Sequence, residues 1–239
     1  MPENLACRID HTLLKAEATA DDIRRLVQQA AEYRFAAVCV NPRWAAFAAD
    51  TIKLFAWAGA TEGAASWPAI CACVGFPLGA NRTTIKAVEA SSAVKDGCNE
   101  IDMVMFLPLL LAMDLSGARA EVLEVVKSAR SVWRKTVVKV ILETAVLDEQ
   151  HIALGCQAAI EGGADYVKTS TGFHPAGGAT RQAVEMLRKH AGPLKVKASG
   201  GIRTAHDAWQ MIAAGADRIG CSAGVAMMRE TGGTGQTGG

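Results

Sequence analysis

The sequence predicts an α/β fold, a single-domain (β/α)8 TIM barrel, on three observations. Eight short runs rich in Val, Ile and Cys recur down the chain. Amphipathic stretches with capping residues lie between them. No Gly-x-Gly-x-x-Gly follows the first run, which weakens the alternative, a doubly wound sheet.

The strand runs are residues 7–10, 36–40, 70–74, 100–104, 137–142, 166–168, 195–198 and 218–220. They are short, apolar and flanked by Gly, Pro or Asn, as suits strands buried on both faces. Thr19 or Asp21 opens the first helix, through Leu26 and Ala30. Asn81 precedes one carrying Ile85, Val88 and Val94, and Asp114 one carrying Val122, Val125 and Val126. Asp148 and Thr204 stand before later helices in the same way. Four similar phrases, beginning at Ala30, Lys95, Glu161 and Ala213, read as helix ends feeding the next strand, usually through a glycine.

Of the 239 residues, half are hydrophobic and 21% are charged, which suits a substantial core and argues against disorder. A net charge of +1, with no basic block, gives no electrostatic case for nucleic acid or membrane. The start lacks an apolar signal core, and no apolar run approaches the roughly 20 residues of a membrane span. Seven scattered cysteines, several inside strand runs, read as reduced thiols in a cytoplasmic protein. The barrel domain is expected over residues 1–228, followed by a flexible Gly/Thr-rich tail over 229–239.

In a barrel, chemistry sits at the C-terminal ends of the strands. The polar residues there are Asp10, Asn41, Asp102, Lys139, Glu143, Lys168, Lys197 and Ser199. Lys168 and Lys197 lie in consecutive apolar runs that lead into glycine turns, where an unpaired ammonium is costly. A cation about 5 Å from Lys168, at an effective dielectric of about 20, costs it roughly 3 kcal/mol, or about two pKa units. Lys197 is the candidate for that cation, and burial pushes the same way. The amine of Lys168 is then expected to be neutral near pH 7–8 and able to attack an aldehyde or ketone. The structural alternative pairs these lysines with Asp102 and Glu143. Asp102 can equally orient a water and shuttle protons, and Lys195 has the parity of an inward residue.

The loops Ser199-Gly-Gly-Ile-Arg203 and Gly220-Cys-Ser-Ala-Gly224 follow strands 7 and 8, the recurrent phosphate position of this architecture. Gly172, after strand 6, joins them. Cys71-Ala-Cys73 lacks a second ligand pair with zinc-site spacing and reads as core packing. The histidines at 11, 151, 174, 190 and 206 show no metal spacing.

Taken together, Ile9-Asp-His-Thr-Leu-Leu-Lys15, Val38-Cys-Val-Asn-Pro42, Val74-Gly-Phe-Pro-Leu-Gly79, Glu100-Ile-Asp-Met-Val104, Val138-Lys-Val-Ile-Leu-Glu-Thr144, Val167-Lys-Thr-Ser-Thr-Gly-Phe173, Val196-Lys-Ala-Ser-Gly-Gly-Ile-Arg203 and Arg218-Ile-Gly-Cys-Ser-Ala-Gly224 resemble the deoxyribose-phosphate aldolase family. The resemblance implies a class I aldolase with no metal and no cofactor. Its substrate would be a phosphorylated sugar, 2-deoxy-D-ribose 5-phosphate, split reversibly into glyceraldehyde 3-phosphate and acetaldehyde. It implies a cytoplasmic homodimer. By motif position Lys168 forms the imine, and Asp102 and Lys197 transfer protons. The substrate-binding set would be Asp10, Thr12, Cys39, Lys139, Thr169, Gly172, Gly200, Gly201, Gly220, Ser222 and Ala223. Cys221 stands where a threonine or alanine is expected, and residues 56–67 exceed the usual connection. Two other readings stay open: a phosphate-sugar isomerase of the same fold, using a carboxylate base and no imine, and a non-catalytic sugar-phosphate binder.

Overall fold

A computed structural model describes residues 5–57 and 68–232. Each strand run pairs with the next in parallel, and the eighth returns to the first, so the sheet closes into a barrel. The elements are β1 (Ile9–Leu13), α1 (Ala20–Glu32), β2 (Ala37–Val40), α2 (Ala45–Trp57), β3 (Ala69–Val74) and α3 (Thr83–Lys95). Then come β4 (Glu100–Val104), α4 (Leu107–Leu111), α5 (Leu115–Val132), β5 (Val137–Ile141) and α6 (Glu149–Glu161). The last are β6 (Tyr166–Lys168), α7 (Arg181–His190), β7 (Lys195–Ser199), α8 (Ala205–Ala213), β8 (Arg218–Cys221) and α9 (Gly224–Glu230).

Alternation along the strands sorts two cores. Outward residues such as Val38, Val40, Ile101, Val138, Val140, Val167, Val196 and Ile219 are buried under the helices. Inward residues include the thiols Cys39, Cys71 and Cys73, which form a separate small cluster, and the charged groups of the site. A barrel interior of this kind is polar where most are aliphatic.

Several boundaries and faces differ from those read in the sequence. The first strand is Ile9–Leu13, because residues 5–8 form a 3-10 turn and Thr12 pairs with Cys39. Thr19 rather than Asp21 caps α1, in a reciprocal capping box with Asp22. Asp114, Asp148, Thr180 and Thr204 cap their helices by side-chain hydrogen bonds, whereas α3 begins at Arg82 without one. Ile85 and Val88 of α3 face outward, and its buried face is alanine-rich around Lys86. α9 continues to Glu230, two residues past the expected domain end, and residues 233–239 lie outside the described residues. The long connection read at 56–67 also lies outside them, apart from the end of α2.

Candidate active site

The inward parity of β1, β4, β5, β6, β7 and β8 brings seven charged side chains together inside the barrel. Asp102 is the hub. Its Oδ2 accepts from Lys168 Nζ and from Lys197 Nζ, each at 2.7 Å. Its Oδ1 accepts from Lys139 Nζ at 2.9 Å and from the Cys71 thiol at 3.1 Å. Lys197 has a second carboxylate, Asp10, at 2.5 Å, and Lys139 has Glu100 at 2.5 Å. Deeper still, Arg218 bridges Asp10 at 2.6 Å and Glu100 at 3.2 Å.

Four cations therefore face three carboxylates, Lys139, Lys168, Lys197 and Arg218 against Asp10, Glu100 and Asp102. One proton can leave without making the cluster anionic. Of the cluster's three lysines, Lys168 has a single carboxylate contact among the described residues, and that one is shared with Lys197. It is also the most accessible of the three, 3% exposed against 0% for the other two.

The pKa directions follow from these contacts. Burial drives Lys168 down, but the touching Asp102 carboxylate, with the Cys73 and Cys39 sulfurs behind it, leaves the ammonium above its ordinary range. Lys197 pushes Lys168 down. The expectation that Lys197 and burial together lower Lys168 left out Asp102, which turns the direction upward. Burial also opposes the charge on Lys139 and Lys197, but Asp102 with Glu100, and Asp10 with Asp102, hold both well above the ordinary lysine range. Burial raises Asp102, and Lys139, Lys168 and Lys197 together carry it well below the carboxylate range. Of the three lysines, Lys168 is held least.

The other expected positions separate into supports and mouth. Asp10 is fully buried, and Gly220 faces it across the β1–β8 register. A side chain at Gly220 would meet the Lys197 stem at 3.1 Å, so glycine here makes room for the lysine. Thr12 Oγ1 donates to the Asp10 carbonyl at 2.8 Å. Thr169 is fully buried and exchanges hydrogen bonds with the Ser199 backbone, which ties β6 to β7. Asp10, Lys139 and Thr169, expected to contact substrate, make their recorded contacts within the protein, beneath the mouth, and Gly220 lies beside them.

At the open end stand Gly172, Gly201 and Ser222, all exposed, with Gly200 and Ala223 beside them. Gly172 (φ +80°), Gly200 (φ +91°) and Gly201 (φ +81°) adopt backbone that side chains disfavour. A Cβ on Gly172 would meet Gly200 Cα at 3.3 Å, while Gly201 has open space in front of it. The β6 and β7 loops thus press together and leave backbone bare toward the mouth.

Two further expectations change. Glu143, in a left-handed turn, accepts from the Thr171 hydroxyl at 2.5 Å. It orders the β6 loop, with no ion pair to the lysines recorded among the described residues. Lys195 is exposed at the opposite end of β7, its ammonium 5.8 Å from the Tyr166 ring centre. Asn41 donates to the Leu14 carbonyl. Sequence reasoning missed Arg218, whose inward parity with Gly220 was the available signal. It also missed that Cys39 sits with Cys71 and Cys73, since thiols on different strands share no spacing.

A family model for DeoC/LacD aldolases matches residues 5–231. A deoxyribose-phosphate aldolase of Bacillus cereus (strain B4264) is 42% identical over 226 residues, covering 94% of this chain and 95% of that one. Another from Bacillus anthracis (strain A0248) is also 42% identical over the same shares. Among solved structures, the tetrameric deoxyribose phosphate aldolase of Aeropyrum pernix superposes with a TM-score of 0.83 at 36% identity. The match covers 97% of this chain and 92% of that one.

Proposed function

The chain belongs to the DeoC/LacD aldolase family, and we propose that Lys168, Asp102 and Lys197 carry its reaction. It is an aldolase that cleaves 2-deoxy-D-ribose 5-phosphate reversibly to glyceraldehyde 3-phosphate and acetaldehyde. The observation that carries the assignment of residues is the shared Oδ2 of Asp102, which accepts from both Lys168 and Lys197.

The charge on Lys168 depends on that one contact. When a substrate hydroxyl or a water comes between Lys168 and Asp102, burial and Lys197 are left to act on the amine, and both push it toward neutrality. Neutral Lys168 adds to C1 of the open-chain sugar, and loss of water gives a protonated imine. That cation draws electrons as C2–C3 breaks, while a water held by Asp102 takes the proton of the C3 hydroxyl. Lys197, retained as an ammonium by Asp10, returns a proton through that water to C2 of the enamine. Hydrolysis of the imine frees acetaldehyde and restores Lys168.

Gly172, Gly200, Gly201, Ser222 and Ala223 are proposed to hold the phosphate. Bare backbone in the pressed-together β6 and β7 loops admits close approach of N–H groups to an anion. Anchoring the far end of the sugar makes cleavage effectively unimolecular in the imine.

The chain is further proposed to act as a cytoplasmic homodimer. Buried reduced thiols support a reducing compartment, and the exposed apolar residues Leu78, Ile85 and Val88 supply contact surface. No helix of the described residues is long and apolar enough to cross a membrane.

The test is to incubate the purified chain with 2-deoxy-D-ribose 5-phosphate and follow both products, beside Lys168→Met. Equal amounts of the two products from the wild type, and none above background from the variant, support the reading. Undiminished turnover by Lys168→Met removes Lys168 from it.

A further inference from the structure

Two thiols and a carboxylate meet inside the barrel. The ligand atoms of Cys39, Cys73 and Asp102 all lie within 4.8 Å of one another, and all three residues are fully buried. Cys39 and Cys73 come from neighbouring strands, with their sulfurs 3.5 Å apart. They are diagonal rather than opposed, since Cys39 is in register with Cys71. We propose that these three residues form a binding site for a soft divalent cation such as zinc or cadmium, and that filling it switches the aldolase off.

The spacing fits a shared ligand. Two metal–sulfur bonds of about 2.3 Å at a tetrahedral angle put their sulfurs about 3.8 Å apart. A disulfide would require about 2.05 Å and a favourable Cα separation. Sulfur donors select zinc-like ions over magnesium or calcium, which prefer all-oxygen sites. The fourth tetrahedral position is left for water.

The charge balance also permits it. One divalent ion and two thiols give a bis-thiolate complex and two protons, so two positive charges enter as two leave. The surplus of one cation in the lysine–carboxylate cluster is unchanged. The ion therefore binds by displacing protons and binds more tightly as pH rises.

Occupation is incompatible with the aldol step. Oδ2 of Asp102 accepts from Lys168 and Lys197, and Oδ1 from Lys139 and Cys71. Whichever oxygen turns to the ion, Asp102 no longer holds the water that takes the C3 hydroxyl proton. The ion is an inhibitor; the reaction does not require it.

The experiment titrates the purified full chain with cadmium. It follows the ultraviolet thiolate-to-metal absorption band, the protons released and the rate of aldol cleavage. The expected result is one tight ion per chain, about two protons released per ion, and complete loss of cleavage in parallel with the band, reversed by a chelator. Cys73→Val and Cys39→Ala each abolish the band, and the rate of each becomes insensitive to cadmium relative to its own rate without it. Cys7→Ala, which alters an exposed thiol, retains the wild-type response. A band that survives in both Cys73→Val and Cys39→Ala, or fewer than two protons per ion in the wild type, overturns the site. A full band with undiminished cleavage overturns the off-switch. The band and proton count do not depend on the aldolase assignment, so a failure of either proposal is distinguishable from a failure of the other.

Discussion

Lys168 and Lys197 donate to the same oxygen, Oδ2 of Asp102, each at 2.7 Å. One acceptor shared by two buried ammonium groups is an unequal arrangement, because Lys197 has Asp10 as well and Lys168 has no second carboxylate among the described residues. The less-held lysine is the one nearer the mouth. The proposed reactivity of Lys168 rests on the ease with which Asp102 is drawn away, rather than on a fixed neutral state.

Lys197→Leu removes the surplus positive charge, leaving three cations against three carboxylates. Lys168 then keeps its proton more firmly, since both the lost repulsion and the freed Asp102 raise it. Cleavage is expected to fall about 10²-fold or more, and the alkaline-side rise of the pH–rate profile to move up by roughly one unit or more. Kinetics across pH on both proteins check this; an unmoved profile contradicts it.

Asp102→Asn separates the two halves of the reaction. Removing the carboxylate releases Lys168 from the contact that keeps it charged, so the imine still forms. Carbon–carbon cleavage is expected to drop by about 10²- to 10⁴-fold for want of the group that holds the water. The variant also leaves four cations facing two carboxylates, so unfolding in denaturant is expected about 3 kcal/mol or more earlier. Loss of imine formation together with cleavage would count against this division of labour.

Much of this was legible beforehand. All eight strands lie where short Val/Ile/Cys runs occur, because a strand buried on both faces needs such a run, and Lys168, Asp102 and Lys197 stand out as charges in them. What sequence could not supply was depth and neighbour across strands. Parity places Lys139, Glu100 and Arg218 inside the barrel, but only the register and stagger show that they anchor the hub from below. Pairing of the lysines with Asp102 stood as an alternative, but sequence could not show one carboxylate meeting three of them and drawing Lys168 upward. Cys71 and Cys73 do pack in the core, as their sequence suggested, but Cys39, more than thirty residues away from either, joins them only across strands. Helix faces failed where packing overrides pattern: α3 turns alanines and Lys86 inward, with Lys86 held by Glu121 at 2.8 Å.

Gly201→Ala places a methyl group at φ +81°, in front of open space. The backbone strain of about 1 kcal/mol and the methyl both oppose approach of a phosphate. KM for 2-deoxy-D-ribose 5-phosphate is expected to rise about tenfold with kcat little changed, while cleavage of unphosphorylated 2-deoxyribose stays as it was. Equal effects on both sugars would remove Gly201 from the phosphate site.

His11 is buried beside Phe35 with its Nε2 3.0 Å from Gln29 Oε1. Burial lowers its pKa below the ordinary 6.5, although the Gln29 contact opposes this. The unfolded chain therefore takes up a proton that the folded chain resists. The stability His11 contributes is full above pH 6.5 and is lost as pH falls through 6.5 toward the lowered folded value. Urea midpoints at about pH 7.5 and about pH 5.5 should differ in the wild type and differ less in His11→Gln. An identical pH dependence in the two proteins would exclude His11 as its source.

The central claim is that the amine of Lys168 bonds covalently to the substrate aldehyde. Borohydride added during turnover, followed by digestion and mass spectrometry, reads this directly. A reduced two-carbon or sugar-phosphate adduct on the peptide containing Lys168, absent from Lys168→Met, is the predicted result. A turning-over enzyme that yields no adduct, or carries it on Lys139 or Lys197, would contradict the account.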